Sequence, residues 1–175
     1  MTIDNSPPVP GPSRQSHELD RFEALRLLGG VSLGRIVFTD RALPQIRPVN
    51  HVLDGEDIVI RTHAGAALTL QTSLADGQGV VVAYEADSID PDSHAGWSVV
   101  VTGYARLVTE PDELARYRTM LRPWVDRAME YAVRIHPELV TGLRLPGTDD
   151  RDGGGQADRD AADRTPVTDP TTGSA

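Results

Sequence analysis

The chain has 175 residues, 39% of them apolar and only 5% aromatic, which suits one aliphatic core flanked by polar segments. Its 26 acids outweigh 17 bases for a net charge of −9, and every base is an arginine, so it is a poor electrostatic partner for nucleic acid. The absence of cysteine excludes disulfides, thiolate metal sites and cysteine nucleophiles, and no apolar run approaches the ~18 residues needed to span a bilayer.

Residues 1–17 hold four prolines and no apolar stretch resembling a signal peptide, and read as a disordered arm. Residues 18–145 form the folded body. Residues 146–175 surround Gly153-Gly154-Gly155 with seven Asp and three Arg. Such a segment buries too little apolar surface to offset its ordering entropy and reads as a disordered acidic tail. A soluble, cytoplasmic protein is the plain expectation.

Within the body, Leu19, Phe22, Leu25 and Leu28 recur at helical spacing, and Gly29-Gly30 supplies a left-handed stop. Leu33 to Thr39 is a short β-branched strand followed by a turn over Asp40 to Pro44. Gln45 to Leu53 is the next strand, with Pro48 marking an edge or a bulge. Asp54-Gly55 signals a hairpin, and Glu56 to Thr62 returns as the partner strand. Gly79 to Tyr84 and Trp97 to Val108 are two further strands separated by a polar loop over Asp87 to Gly96. A second helix starts at Thr109, with Pro111, Asp112 and Glu113 in its first turn and a stripe of Leu114, Tyr117, Leu121 and Trp124. That stripe suits core or dimer packing. Val133 to Ile135 and Thr141 to Leu145 supply a last strand. Five or six strands joined mainly by hairpins, with two helices, predict a mainly β (α+β) fold: a six-stranded antiparallel barrel with flanking helices. A dinucleotide-binding parallel sheet is excluded by the element order and by the lack of a Gly-rich phosphate turn.

The residues able to carry chemistry flank the hairpin. If the turn is tight, residue 47 faces residue 62 and residue 50 faces residue 59. Arg47, Arg61 and Thr62 then gather at the start of a small-residue loop running from Ala64 to Ala67. Two guanidiniums, a hydroxyl and accessible backbone amides can hold a phosphate. The same spacing equally fits a plain hairpin whose surface arginines pair with Asp54, Glu56 or Asp57.

Several stretches together resemble the pyridoxamine 5'-phosphate oxidase-related, FMN-binding split-barrel family, in its flavin-nucleotide-binding subgroup. They are Leu33-Gly34-Arg35-Ile36-Val37-Phe38, then Arg47-Pro48-Val49-Asn50-His51-Val52-Leu53-Asp54-Gly55, then Ile60-Arg61-Thr62 with its small-residue loop, and Gly96 to Ala105. The likeness runs from about Leu25 to Leu145. It implies a split β-barrel homodimer with two flavin sites at the subunit interface. The phosphate would lie near Arg47, Thr62 and the following loop and the isoalloxazine ring against Pro48, Val49 and Asn50, with Ile60, Arg61, Ala66 and Ala67 also among the cofactor-binding residues. Trp97 and Ser98 match a strand start near the site, although a tryptophan there equally suits barrel-end packing.

Two departures from the family pattern stand out. A lysine common in the loop after the third strand is replaced by Ala66-Ala67, and the substrate-binding C-terminal segment of the authentic oxidase has no counterpart. The resemblance therefore implies a flavin-dependent oxidoreductase acting on a small redox substrate other than a vitamin B6 phosphate. The alternatives are a non-catalytic module for flavin, haem or deazaflavin, and a barrel without a cofactor. His51 and His63 face one another across the expected hairpin, but no His spacing suggests a metal site, and no nucleophile elbow suggests a hydrolase.

Overall fold

The computed structural model describes residues 16–63, 66–75, 77–122 and 128–147. Most of the expected arm and tail lies outside the described residues, as do Ala64, Gly65 and Trp124. The elements in order are β1 (His17–Glu18), α1 (Arg21–Leu28), β2 (Leu33–Asp40), β3 (Leu43–Asp54), β4 (Asp57–Thr62), α2 (Ala67–Leu74), β5 (Val80–Ile89), β6 (Gly96–Leu107), α3 (Pro111–Met120) and β7 (Tyr131–Leu145).

Every pairing is antiparallel, in the order β1-β7-β4-β3-β2-β5-β6. β6 also pairs with β7, so β2 to β7 close into a ring of six strands, with β1 as a short addition. Closure removes most of the free edges that an open sheet would present. Inward positions alternate along each strand: Ile36 and Phe38, Ile58 and Ile60, Val82, Tyr84 and Ala86, Val99 and Val101, and Val133 and Ile135 fill one core. Leu19, Ala24, Leu25 and Leu28 of the α1 region close one side of that core, while Phe22 is 79% exposed. α1 begins at Asp20, whose Oδ1 accepts the Glu23 amide at 2.8 Å. It ends at Gly29 in right-handed rather than left-handed conformation.

Hairpin geometry corrects several expected boundaries. The β2–β3 turn is the pair Arg41-Ala42, both at positive φ (50° and 65°), so β3 already starts at Leu43. Asp54 pairs with Asp57 across a turn of Gly55 and Glu56, which places residue 60, not 58, opposite residue 51. The slip from the expected register is two residues, so each side chain keeps its face. Pairing of Asp87, Ser88 and Ile89 with Ser98, Trp97 and Gly96 shortens the expected loop to residues 90–95. The last strand is continuous. A bulge carries it past Glu138, with Gly103 opposite Pro137 and Thr102 opposite Leu139. A side chain at Gly103 would lie 2.0 Å from the His136 carbonyl oxygen, which is why glycine stands there.

A third helix, α2, adds to the two expected from periodicity. α3 starts at Glu110 rather than Thr109. It covers the outer face of β4 and β7 through Val59, Val108, Tyr117, Leu121 and Ala132. Asp54 fastens it there: both carboxylate oxygens accept from Arg116, and Oδ2 also accepts the Tyr117 hydroxyl at 2.5 Å. Those bonds hold the Asp54 carboxyl below the usual carboxylate range. β4 is thus buried on both faces, with Ile58 and Ile60 inside the barrel and Val59 under α3.

Two L-residues in the left-handed region at the β2–β3 turn carry a steric cost of ~1–2 kcal/mol each. Ala42→Gly is expected to raise stability by about 0.5–1 kcal/mol, read as a higher urea midpoint with an unchanged slope.

Candidate functional site

The barrel opens where β3 and β4 part. Their ladder runs only from Asp54↔Asp57 to His51↔Ile60. Beyond it, Leu43 to Asn50 pair with β2 alone, while Arg61 and Thr62 pair with β7. The hydrogen-bond phase explains the separation. The His51 amide donates to Ser32 O at 3.0 Å, so alternate residues 49, 47 and 45 turn toward β2. Pro44, Ile46, Pro48 and Asn50 then turn their backbone polar groups toward the gap. Two of those four positions have no N–H to offer β4, so the ladder has little to continue on. Pro48 marks an edge, one of the two readings its position allowed.

His51 sits at the last paired position, 2% exposed. Its Nε2 lies 3.0 Å from Leu28 O and its Nδ1 2.8 Å from the Tyr84 hydroxyl. A carbonyl can only accept, so Nε2 carries the proton and Nδ1 accepts from Tyr84. Desolvation depresses the His51 pKa, keeping the ring neutral, and burial pushes the Tyr84 phenol up. Tyr84 reaches across the barrel because Gly34 leaves it room: a side chain there would meet the Tyr84 hydroxyl at 2.4 Å. Both His51 ring nitrogens are thus taken up by α1 and β5.

A cavity of about 580 Å³ occupies the split. Eight of the eleven residues singled out in the sequence line it: Arg47, Pro48, Val49, Ile60, Arg61, Thr62, Ala66 and Ala67. Ile36, Phe38, His63, Leu68 and Met129 complete the lining. The alternation of β2 marks Ile36 and Phe38 as inward-facing, but Met129 arrives from a distant connection that no local pattern announces. Three residues lie elsewhere in the chain. Asn50 donates through Nδ2 to Arg122 O at 2.9 Å. Trp97 is 8% exposed and packs in the barrel core. Ser98 lines a separate concavity of about 360 Å³ with Glu18, Leu19 and Gly142.

The polar groups at the cavity differ in what they can offer. Arg47 is exposed and donates to Ile46 O at 2.8 Å and to Gln45 Oε1 at 2.9 Å, two neutral acceptors on its own strand. Arg61 donates to Leu121 O at 3.0 Å and also to Met129 O. Neither pairs with Asp54, Glu56 or Asp57: those carboxylates bind Arg116, Arg21, and Arg134 with His136 respectively. Thr69 donates to His63 O at 2.9 Å, so Thr62 is the donor in its 3.1 Å contact with the Thr69 hydroxyl. α2 begins at Ala66 with no side-chain cap, and its first turn contains no acid. The amides of Ala67, Leu68 and Thr69 form the positive helix end beside the cavity, with no side-chain cap among the described residues.

Comparison with known proteins adds to this geometry. A family model described as pyridoxamine 5'-phosphate oxidase matches residues 20–144. The uncharacterized protein Rv0080 of Mycobacterium tuberculosis is 50% identical over 136 residues, 78% of this chain and 90% of that protein. A solved structure of a candidate pyridoxamine 5'-phosphate oxidase from Corynebacterium glutamicum is 35% identical with a TM-score of 0.62, covering 77% of this chain and 96% of that one. The FAD binding protein from Mycobacterium smegmatis is 30% identical with a TM-score of 0.53, covering 75% and 100%.

The His51 bonds give stability a defined pH dependence. Its folded pKa lies below the ordinary 6.5, so the unfolded chain takes up the proton first as the solution is acidified. The contribution is complete above pH ~6.5 and is lost as pH falls through the lowered value. His51→Leu is expected to be less stable at pH 8 by ~1–3 kcal/mol, because the Tyr84 hydroxyl loses its acceptor. It should also lose less stability than the parent between pH 7 and 5. Parallel urea titrations across that range measure both.

Proposed function

This chain belongs to the pyridoxamine 5'-phosphate oxidase family of flavin-binding split barrels, and from that premise we propose that it binds a flavin nucleotide in the cavity between β3 and β4. FMN is the first choice of nucleotide. The observation that carries the reading is the meeting of three features at one split: Arg47, the uncapped start of α2, and an apolar wall. Ile36, Phe38, Val49, Ile60 and Leu68 form a surface suited to a planar ring, and a volume of about 580 Å³ is in the usual range for ligand sites. Arg47 and the α2 amides suit an anionic group at one end of such a ligand.

A bound flavin supplies hydride and single-electron transfer, the chemistry of an oxidoreductase. The chain's own part is to orient the ring against Pro48 and Val49, to keep water from its inner face, and to hold the phosphate through Arg47. Exchange of two neutral acceptors for a phosphate costs Arg47 little and gains a charge-assisted bond. We propose a small redox substrate reached from the open side of the split. The protein is proposed to act in the cytoplasm; among the described residues no helix is long and apolar enough to cross a membrane.

FAD is the second reading, favoured by the Mycobacterium smegmatis relative, which is an FAD binding protein. A homodimer is also proposed. It is supported by apolar side chains left exposed on the outer face of β5 to β7: Val81 at 60%, Tyr104 at 40% and Leu139 at 59%.

The purified protein should show flavin absorbance near roughly 370 and 450 nm, with the nucleotide released by heat and identified by mass. A Soret band, or no retained chromophore after incubation with FMN and FAD, would sink the reading. Arg47→Ala should weaken FMN roughly 10- to 100-fold, as expected for one charge-assisted bond, while Arg26→Ala on the exposed face of α1 leaves it unchanged. Ala67→Lys should tighten FMN by placing a cation in the first turn of α2, beside the cavity. Light scattering at micromolar concentration reports the dimer.

A further inference from the structure

Asn50 and Arg61 are the two candidate ligands whose side chains already hold backbone of another segment. The Arg61 guanidinium donates to Leu121 O at 3.0 Å through Nη1 and to Met129 O through Nη2. Asn50 Nδ2 donates to the intervening Arg122 O at 2.9 Å. Leu121 and Met129 lie at the two ends of the connection from α3 to β7. Leu121 is 3% exposed in the cluster under α3, whereas Met129 lines the cavity. One guanidinium therefore joins both ends of the connection beside the split.

We propose that Arg61, assisted by Asn50, is a positioning residue: it staples Leu121 to Met129 and so fixes Met129 as a wall of the cofactor cavity, without itself ligating the cofactor phosphate. The inference rests on the flavin reading above and assigns Arg61 a different part in it from Arg47. Strand alternation separates the two. Arg47 shares the face of Val49 and His51, toward the barrel interior. Arg61 shares the outward face of Val59, the face covered by α3. The planar fork of a guanidinium presents donors in fixed, separate directions and so serves both carbonyls at once. The Leu121, Arg122 and Met129 carbonyls lie outside the helices and strands, and donors from β3 and β4 satisfy them. Arg118 adds a weaker contact to Glu130 O at 3.3 Å, next to Met129. Burial, followed by repulsion from the Arg118 charge, lowers the Arg61 pKa.

The test uses the full chain and two flavins that share a ring and differ only in phosphate, riboflavin and FMN. Arg61→Gln should weaken both by the same factor, about tenfold for the loss of a doubly bonded cation, and should alter the visible circular dichroism of the bound ring. Arg61→Lys, which keeps the charge but reaches one carbonyl, should show a smaller and equally phosphate-independent loss. Arg47→Ala, by contrast, should weaken FMN and spare riboflavin. A loss in Arg61→Gln confined to FMN would make Arg61 a phosphate ligand and overturn the proposal. Unchanged affinity for both flavins would overturn it as well. Hydrogen exchange at the amides of residues 128–132 reads the staple without any cofactor: about tenfold faster exchange in Arg61→Gln supports it, and equal exchange refutes it. If the parent protein binds neither flavin, the cofactor reading fails by itself, and the exchange measurement still decides whether Arg61 holds the connection.

Discussion

The β3–β4 ladder stops at His51↔Ile60, and the rest of the structure is arranged around that stop. A barrel of six strands gains by pairing every edge, yet here Leu43 to Asn50 leave β4 and follow β2 alone. Proline at positions 44 and 48 removes donors from the side that would meet β4, so continued pairing would leave carbonyls there without partners. The gap that results is lined by inward side chains of β2, β3 and β4, which would otherwise be ordinary core. Its apolar wall and its charged rim are therefore two parts of one strand alternation.

The buried hydrogen bonds hold the split at a fixed place. His51, at the last pair, joins β3 to the end of α1 through Leu28 O and to β5 through Tyr84. On the outer surface, Asp54 joins the other end of the same ladder to α3 through Arg116 and Tyr117. The four-pair ladder is thus bolted at each end, on opposite faces, and cannot slip without breaking both sets of bonds. A slip by one residue would also turn Val59 into the barrel and Ile58 and Ile60 toward α3.

The exclusive use of arginine as the basic residue has a structural counterpart. Arg116 reaches both oxygens of Asp54 through its two terminal nitrogens, and Arg61 bonds the Leu121 and Met129 carbonyls through its own two. Each is a divergent or parallel pair of bonds from one planar group, the geometry that distinguishes guanidinium from ammonium. Many of these cations face neutral acceptors or single carboxylates, so the net charge of the chain says little about the local charge of the cavity.

The sequence by itself determined the strand alternation, the hairpin after Asp54, the start of α3 to within one residue and eight of the residues around the split. These depend on period, turn chemistry and caps, which act over a few residues. It also supplied Pro48 as an edge marker and Arg47 beside a small-residue loop. Register to within two residues was beyond it, because the turn could take Asp54-Gly55 or Gly55-Glu56 at its centre and the face pattern is the same in both. Only the tertiary structure decided that Arg61 and Asn50 bind the α3–β7 connection, that Trp97 belongs to the core, and that Met129 joins the cavity. Those outcomes depend on which backbone carbonyls and which distant strands come within ~3 Å of a long side chain, and such proximity is fixed by closure of the barrel rather than by any local run of residues.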